Sequence, residues 1–146
     1  MQIYKTVKIF FEKDQFDRHT MRKQTSTSKR IDLIKKIKER DHKRLFSIKK
    51  IFQDYPRLSK KTLFYAGIIL QHSKTLEDHR LAAKLAKKSY KLGYRPAQKL
   101  YQAAVDRILL KTIGKQKYGT HFKEVKGKKI FLPSNKKLAD PLISND

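Results

Sequence analysis

From Ile3 to Ile113 the apolar residues recur mainly at intervals of three and four, in segments separated by loop-forming residues. This is the period of helices that bury one face, so it confines the chain to a mainly α fold. Residues 31–53 carry it most clearly, with Ile34, Ile37, Leu45, Ile48 and Phe52 on one stripe. Residues 3–22 read two ways. Ile3, Val7, Phe10, Phe11 and Met21 form a helical stripe, whereas Ile3, Val7, Ile9 and Phe11 alternate as in a strand. The stripe continues past Phe11, which favours helix. The run QTSTS at 24–28 reads as a polar loop, and Tyr55-Pro56 breaks the second helix. Ser59 caps a third, whose core LFYAGIIL is apolar on every side and therefore central. Gly67 within it predicts a close helix–helix approach.

Thr75-Leu76-Glu77-Asp78 reads as a capping box opening a helix to Leu92, with Gly93 as its stop. Pro96 opens the next helix, which ends at Ile113 before Gly114. Ala82, Ala83, Ala86, Ala97, Ala103 and Ala104 let these two pack closely as a hairpin. Phe122 to Leu132 reads as a short β-hairpin turning at Lys126-Gly127-Lys128. The expected architecture is a compact bundle of about five helices with a short C-terminal β-hairpin or extended arm. It occupies residues 1–132 as a single helical domain, and residues 133–146 form a polar tail.

Lys and Arg number 37 against 13 Asp and Glu, a formal charge of +24. The excess is spread along the chain, at +10 over residues 1–57, +9 over 58–114 and +5 over 115–146. Such a molecule attracts polyanions along its whole length. Lysine outnumbers arginine 28 to 9, which suits phosphate contact better than base-specific reading. Lys36, Arg40, Lys43 and Lys50 line the solvent side of helix 31–53, and Arg22, Lys23, Lys29 and Arg30 flank the loop before it. The chain has no Cys, which excludes disulfides and thiolate zinc sites. Its longest apolar run, Leu63 to Leu70, is far short of a membrane span of about 20 residues. The first thirty residues have no unbroken apolar segment of the signal-peptide kind. A cytoplasmic protein with no membrane partner is expected.

Polar residues interrupt three stripes. Asp14, with Arg18 one turn on, lies in the first; Asp41, near Arg44, lies in the second; Asp106, beside Arg107, shares a face with Leu109, Leu110 and Ile113. Unpaired charge there is costly, so partners are expected. Two readings fit: ion pairs that fix how the helices pack, or a polar pocket between helices. Gln71 and His72 end the central helix. The histidines show no metal-ligand spacing, and neither metal nor cofactor is expected.

Two resemblances follow from these residues. The run LAAKLAKKSYKLGYRPAQKLYQAA resembles a single tetratricopeptide- or Sel1-type unit, without a second copy. Asp14-Gln15 with Arg18, Asp41 with Arg44, IILQHS with Asp78, Asp106-Arg107 and GKQKYGTHF together resemble an uncharacterised bacterial family of unknown function. Its members carry a DQ-x-x-R start, a central QH, a DR late in a helix, and G-x-x-Q-x-YGTQ-F. The likeness covers roughly residues 10–132. His121 stands where the family shows Gln, and the basic charge is not a family trait. The resemblance implies no established activity, but its motif residues coincide with the core-facing polar ones.

The leading expectation is a nucleic-acid-binding protein, with RNA favoured over DNA and other polyanions as alternatives. The second is an enzyme or small-ligand domain in which Asp14, Arg18, Asp41, His72, Asp106 and Arg107 converge. Gln116, Tyr118, Thr120 and His121 would then supply its rim. A structural, protein-binding helical module is the third.

Overall fold

The computed structural model describes residues 2–54 and 57–142, which leaves the expected break at Tyr55-Pro56 outside the described residues. Described are helices α1 (Gln2–Lys23), α2 (Thr27–Asp54), α3 (Lys60–Gln71), α4 (Leu76–Lys91) and α5 (Ala97–Ile113). They are followed by an antiparallel pair of strands, β1 (Phe122–Val125) and β2 (Lys128–Phe131). The mainly α fold and the terminal hairpin are as the sequence predicts. The polar loop is shorter than predicted, because Thr27 and Ser28 already belong to α2.

The helix ends follow from local chemistry. Ser59 Oγ accepts the Thr62 amide to open α3, and Thr75 Oγ1 accepts the Asp78 amide to open α4. The expected capping box is only half formed. The Thr75 amide donates to Ser73 Oγ, and the Asp78 carboxylate faces Ser73 and Lys49 instead. Gly93, at φ +85°, closes α4 with a Schellman pair: its amide reaches Tyr90 O and the Tyr94 amide reaches Ser89 O.

Helix α3 is central, as its all-round apolar sequence requires. It packs on α1, α2, α4 and α5. Leu63, Ala66, Ile69 and Leu70 meet Ala82, Ala83, Ala104 and Ile108 in the core, with Val7 and Ile48 brought in from α1 and α2. Each fully buried Val or Ile contributes about 1.5–3 kcal/mol. A Cβ on Gly67 would lie 2.9 Å from Leu100 Cδ2 and 3.5 Å from Ala82 O, so the predicted close approach is present.

The segment after Pro133 runs back along the bundle as far as it is described. Gln116 and Ser134 form a parallel bridge, Tyr101 donates to Asp140, and Leu142 packs against the core. Residues 143–146 of the predicted tail lie outside the described residues.

Candidate functional site: an ionic seam, a histidine and a lysine-lined cleft

Helices α1 and α2 run antiparallel, so residues beyond the Val7–Ile48 contact meet in order: Asp14 and Arg18 near Asp41, and Asp17 near Arg40 and Arg44. Arg18 Nη2 lies 2.6 Å from Asp41 and 3.4 Å from Asp14. Arg44 bridges Asp17 at 2.8 Å and Asp41 at 2.6 Å. Arg40 forks onto Asp17 through Nε at 3.1 Å and Nη2 at 2.7 Å. Three carboxylates therefore interleave with three guanidiniums, whose planar forks can each serve two oxygens. Burial disfavours the charged Asp17, but its bonds to Arg40 and Arg44 outweigh that and hold its carboxyl below the usual range. Burial likewise opposes the charge on Arg44, and Asp41 and Asp17 overcome it and push its value up.

The seam reaches α3 through one residue. Asp14 is wholly buried; its Oδ2 accepts from Gln15 Nε2 at 2.9 Å and its Oδ1 lies 2.8 Å from His72 Nδ1. Arg18 Nε also approaches that nitrogen, at 3.3 Å. A nitrogen that donates to the carboxylate cannot accept from the guanidinium. The shorter, anionic contact assigns the Nδ1 proton to Asp14, which leaves Nε2 with its lone pair. His72 itself lines a cleft of about 450 Å³. Asp41, Asp78, Lys38, Lys49 and Lys74 give the cleft its charge, His42 lies among them, and Leu45 and Phe46 are its apolar wall.

Asp106 does not join this seam. It is fully buried, yet its hydrogen bonds all run to the segment after α5. Oδ1 accepts the Lys117 and Tyr118 amides at 2.7 Å each, and Oδ2 accepts the Thr120 amide at 2.9 Å and Thr120 Oγ1 at 2.8 Å. Gly119, at φ +75°, lets the loop curl around the carboxylate in a nest. Since Thr120 Oγ1 donates to Asp106, it accepts from His121, 2.8 Å from its Nδ1. Gln116 is buried as the clasp of the arm: Nε2 donates to His121 O and Leu132 O, and Oε1 accepts the His121 amide.

Arg107 is likewise not the partner of Asp106 that its sequence position suggests. It donates through Nη1 to Gln71 O at 2.8 Å. Among the described residues, Arg107 Nε and Gln71 Nε2 are buried without a hydrogen-bond partner. Arg107 thus stands between the two clusters, one residue from His72 on one side and close enough to repel protons from His121 on the other. The six residues expected to converge form two centres joined at Gln71–His72, not one.

Of the basic residues expected to face phosphate, Lys36, Lys43, Lys50, Arg22, Lys23, Lys29 and Arg30 are exposed. Arg40 is a correction, since its fork is committed to Asp17. Two buried residues had no counterpart in the sequence reading. Asp17 was signalled only by lying one turn from Asp14. His79, fully buried, places Nε2 2.8 Å from Ser73 O and pins the turn after α3.

These environments set a pH dependence. Burial pushes His79 and His121 down from the usual histidine value, and the nearby Arg107 charge adds to it in both. The folded state then binds fewer protons than the unfolded chain, so this stability is complete above about pH 6.5 and declines as pH falls through it. Asp17 and Asp78, held low against the opposing effect of burial, contribute stability above about pH 3.9 that is lost further down. The melting temperature is expected to fall in two stages between pH 8 and pH 3. A flat profile from pH 8 to pH 5 would contradict the histidine part.

Compared with protein-family models, curated proteins and solved structures, the chain matches none.

Proposed function

We propose that this protein binds a small anionic ligand in the α2–α3–α4 cleft and that His72 exchanges a proton with it as a general acid–base. The observation that carries this reading is the position of one ring. His72 touches the buried Asp14 carboxylate with Nδ1 and is itself one of the residues lining the cleft. A carboxylate that fixes tautomer and orientation, behind a histidine open to solvent, is the arrangement acid–base chemistry needs. Arg18 and Arg44 neutralise the acids behind it, so the cleft keeps the positive character of Lys38 and Lys74. Lys49 is paired with Asp78 at 2.6 Å. Leu45 and Phe46 favour a ligand with an apolar body as well as an anionic head. Ser73 is committed to Asp78, so covalent attack by a serine is not part of the reading.

The test is a nuclear magnetic resonance titration of the histidine ring nitrogens with inorganic phosphate, phenyl phosphate and benzoate. Saturable shifts of His72 are expected, tightest for phenyl phosphate and lost in Lys38→Glu. Small, unsaturating shifts spread over every histidine would overturn it.

A second reading is favoured by the tip where α1 turns into α2. Arg22, Lys23, Lys29, Arg30 and Lys36 are all exposed there, a cationic end suited to phosphates of a nucleic acid.

A further inference from the structure

The β-hairpin is unlike the rest of the fold, because among the described residues neither strand packs against a helix. Every residue of both strands is exposed. Cross-strand register pairs Phe122 with Phe131 and Glu124 with Lys129, so these four share one face. Phe122 is 43% and Phe131 61% exposed, and their rings meet edge to face at 5.8 Å. Lys129 Nζ sits 4.7 Å over the Phe122 ring. Residues 122–131 contain four lysines and one glutamate, and Lys126-Gly127, both at positive φ, make the tight turn that presents them. The root of this ribbon is rigid, clasped by Gln116 at His121 O and Leu132 O.

We propose that this hairpin is a docking ribbon for an unpaired polynucleotide strand, its bases stacking on Phe131 and Phe122 and its phosphates meeting Lys129 on the same face and Lys126 at the turn. Two features select this occupant. A chain at +24 repels a second copy of itself, and lysines along both strand edges oppose strand addition. Exposed aromatic faces among lysines match a partner that carries flat π-faces on a polyanionic chain, which is the chemistry of a single strand. A duplex hides its base faces and offers only the phosphates. Tyr94 and Tyr4 are instead half-buried, Tyr94 edge-on to Phe64 at 5.0 Å and Tyr4 beside Tyr65 at 6.2 Å. Tyr55 lies outside the described residues. The ribbon is independent of the His72 cleft, and its failure would leave that reading untouched.

The test is fluorescence anisotropy with labelled ten-residue oligouridylate and oligodeoxythymidylate, a duplex of equal length, and polyphosphate. Both single strands are expected to bind alike, since no group here reads the ribose, and more tightly than the duplex or polyphosphate. With about two phosphates contacted, the logarithm of affinity is expected to fall against that of salt with a slope of about −1 to −2. Phe122→Ala with Phe131→Ala is expected to weaken binding about 30-fold or more, while tyrosine at both positions retains it. Arg30→Glu with Lys36→Glu, at the α1–α2 tip, is expected to leave the preference for single strands unchanged. Equal binding of polyphosphate, no loss in the double alanine variant, or a preference that moves with the tip variant would each overturn the proposal. So would self-association through the hairpin.

Discussion

Arg44→Met is expected to lower the unfolding free energy by about 3 kcal/mol, the low end of the cost of breaking a buried ion pair, because each carboxylate keeps a second guanidinium. Among the described residues Arg44 is the one side chain that joins Asp17 to Asp41, at 2.8 Å and 2.6 Å. Without it Asp17 keeps only the half-exposed Arg40, and Asp41 keeps only Arg18. Methionine fills most of the volume, so the loss reports charge and not a cavity. For a domain whose whole stability is about 5–15 kcal/mol, that is a large fraction of the total. Urea denaturation measures it as a drop in midpoint with little change in slope. Adding Asp17→Asn to the same chain is expected to recover part of the loss, because one of the stranded charges is then gone. A loss under about 1 kcal/mol would class the seam with exposed surface pairs.

Asp106→Ala is expected to cost about 2–4 kcal/mol, with the damage concentrated after α5. The carboxylate accepts three amides and one hydroxyl of a single loop, and each bond to a charged acceptor contributes about 1.5–3 kcal/mol. Their sum is not reached, because water can satisfy some of these half-buried donors once the loop opens. Hydrogen exchange distinguishes this local failure from global unfolding. Protection at the Lys117, Tyr118 and Thr120 amides is expected to collapse, while amides of α3 and α4 lose only what the global destabilisation removes. Asp106→Asn keeps one good acceptor and is expected to fall between the two. If α3 and α5 lose protection equally, the acid supports the bundle and not the loop.

Both variants bear on how far the sequence could be read. The helices were legible because Ile34, Ile37, Leu45 and Ile48 obey a local periodicity, and Ser59, Gly93 and Gly114 act within a few residues of themselves. Asp14, Asp41 and Asp106 were legible as exceptions to that periodicity. Their partners were not, because an ion pair across two helices depends on register, which no single stripe contains. Adjacent sequence therefore suggested Arg107 for Asp106, while the fold gives that acid the amides of a loop eleven residues on. Asp17 escaped notice for the same reason: its role exists only once Arg40 and Arg44 lie opposite. The hairpin was legible as a turn, whereas its lack of any helix beneath it was not, since neighbour-free surface leaves no mark on a short apolar segment.

The internal cations of this protein are guanidiniums. Arg18, Arg40, Arg44 and Arg107 hold the seam and its extension, in a chain with three times as many lysines, and the lysines are almost all left to the surface. Amine-directed chemistry therefore sees one population and not the other. Acetylation neutralises an ammonium and leaves a guanidinium as it was. Apart from Lys49 on Asp78, the acids of the interior have no amine partner to lose among the described contacts. Surface potential and internal cohesion are thus chemically separable in this molecule. The positive surface charge can be lowered by covalent modification of the whole protein while the arginine-held interior stays in place.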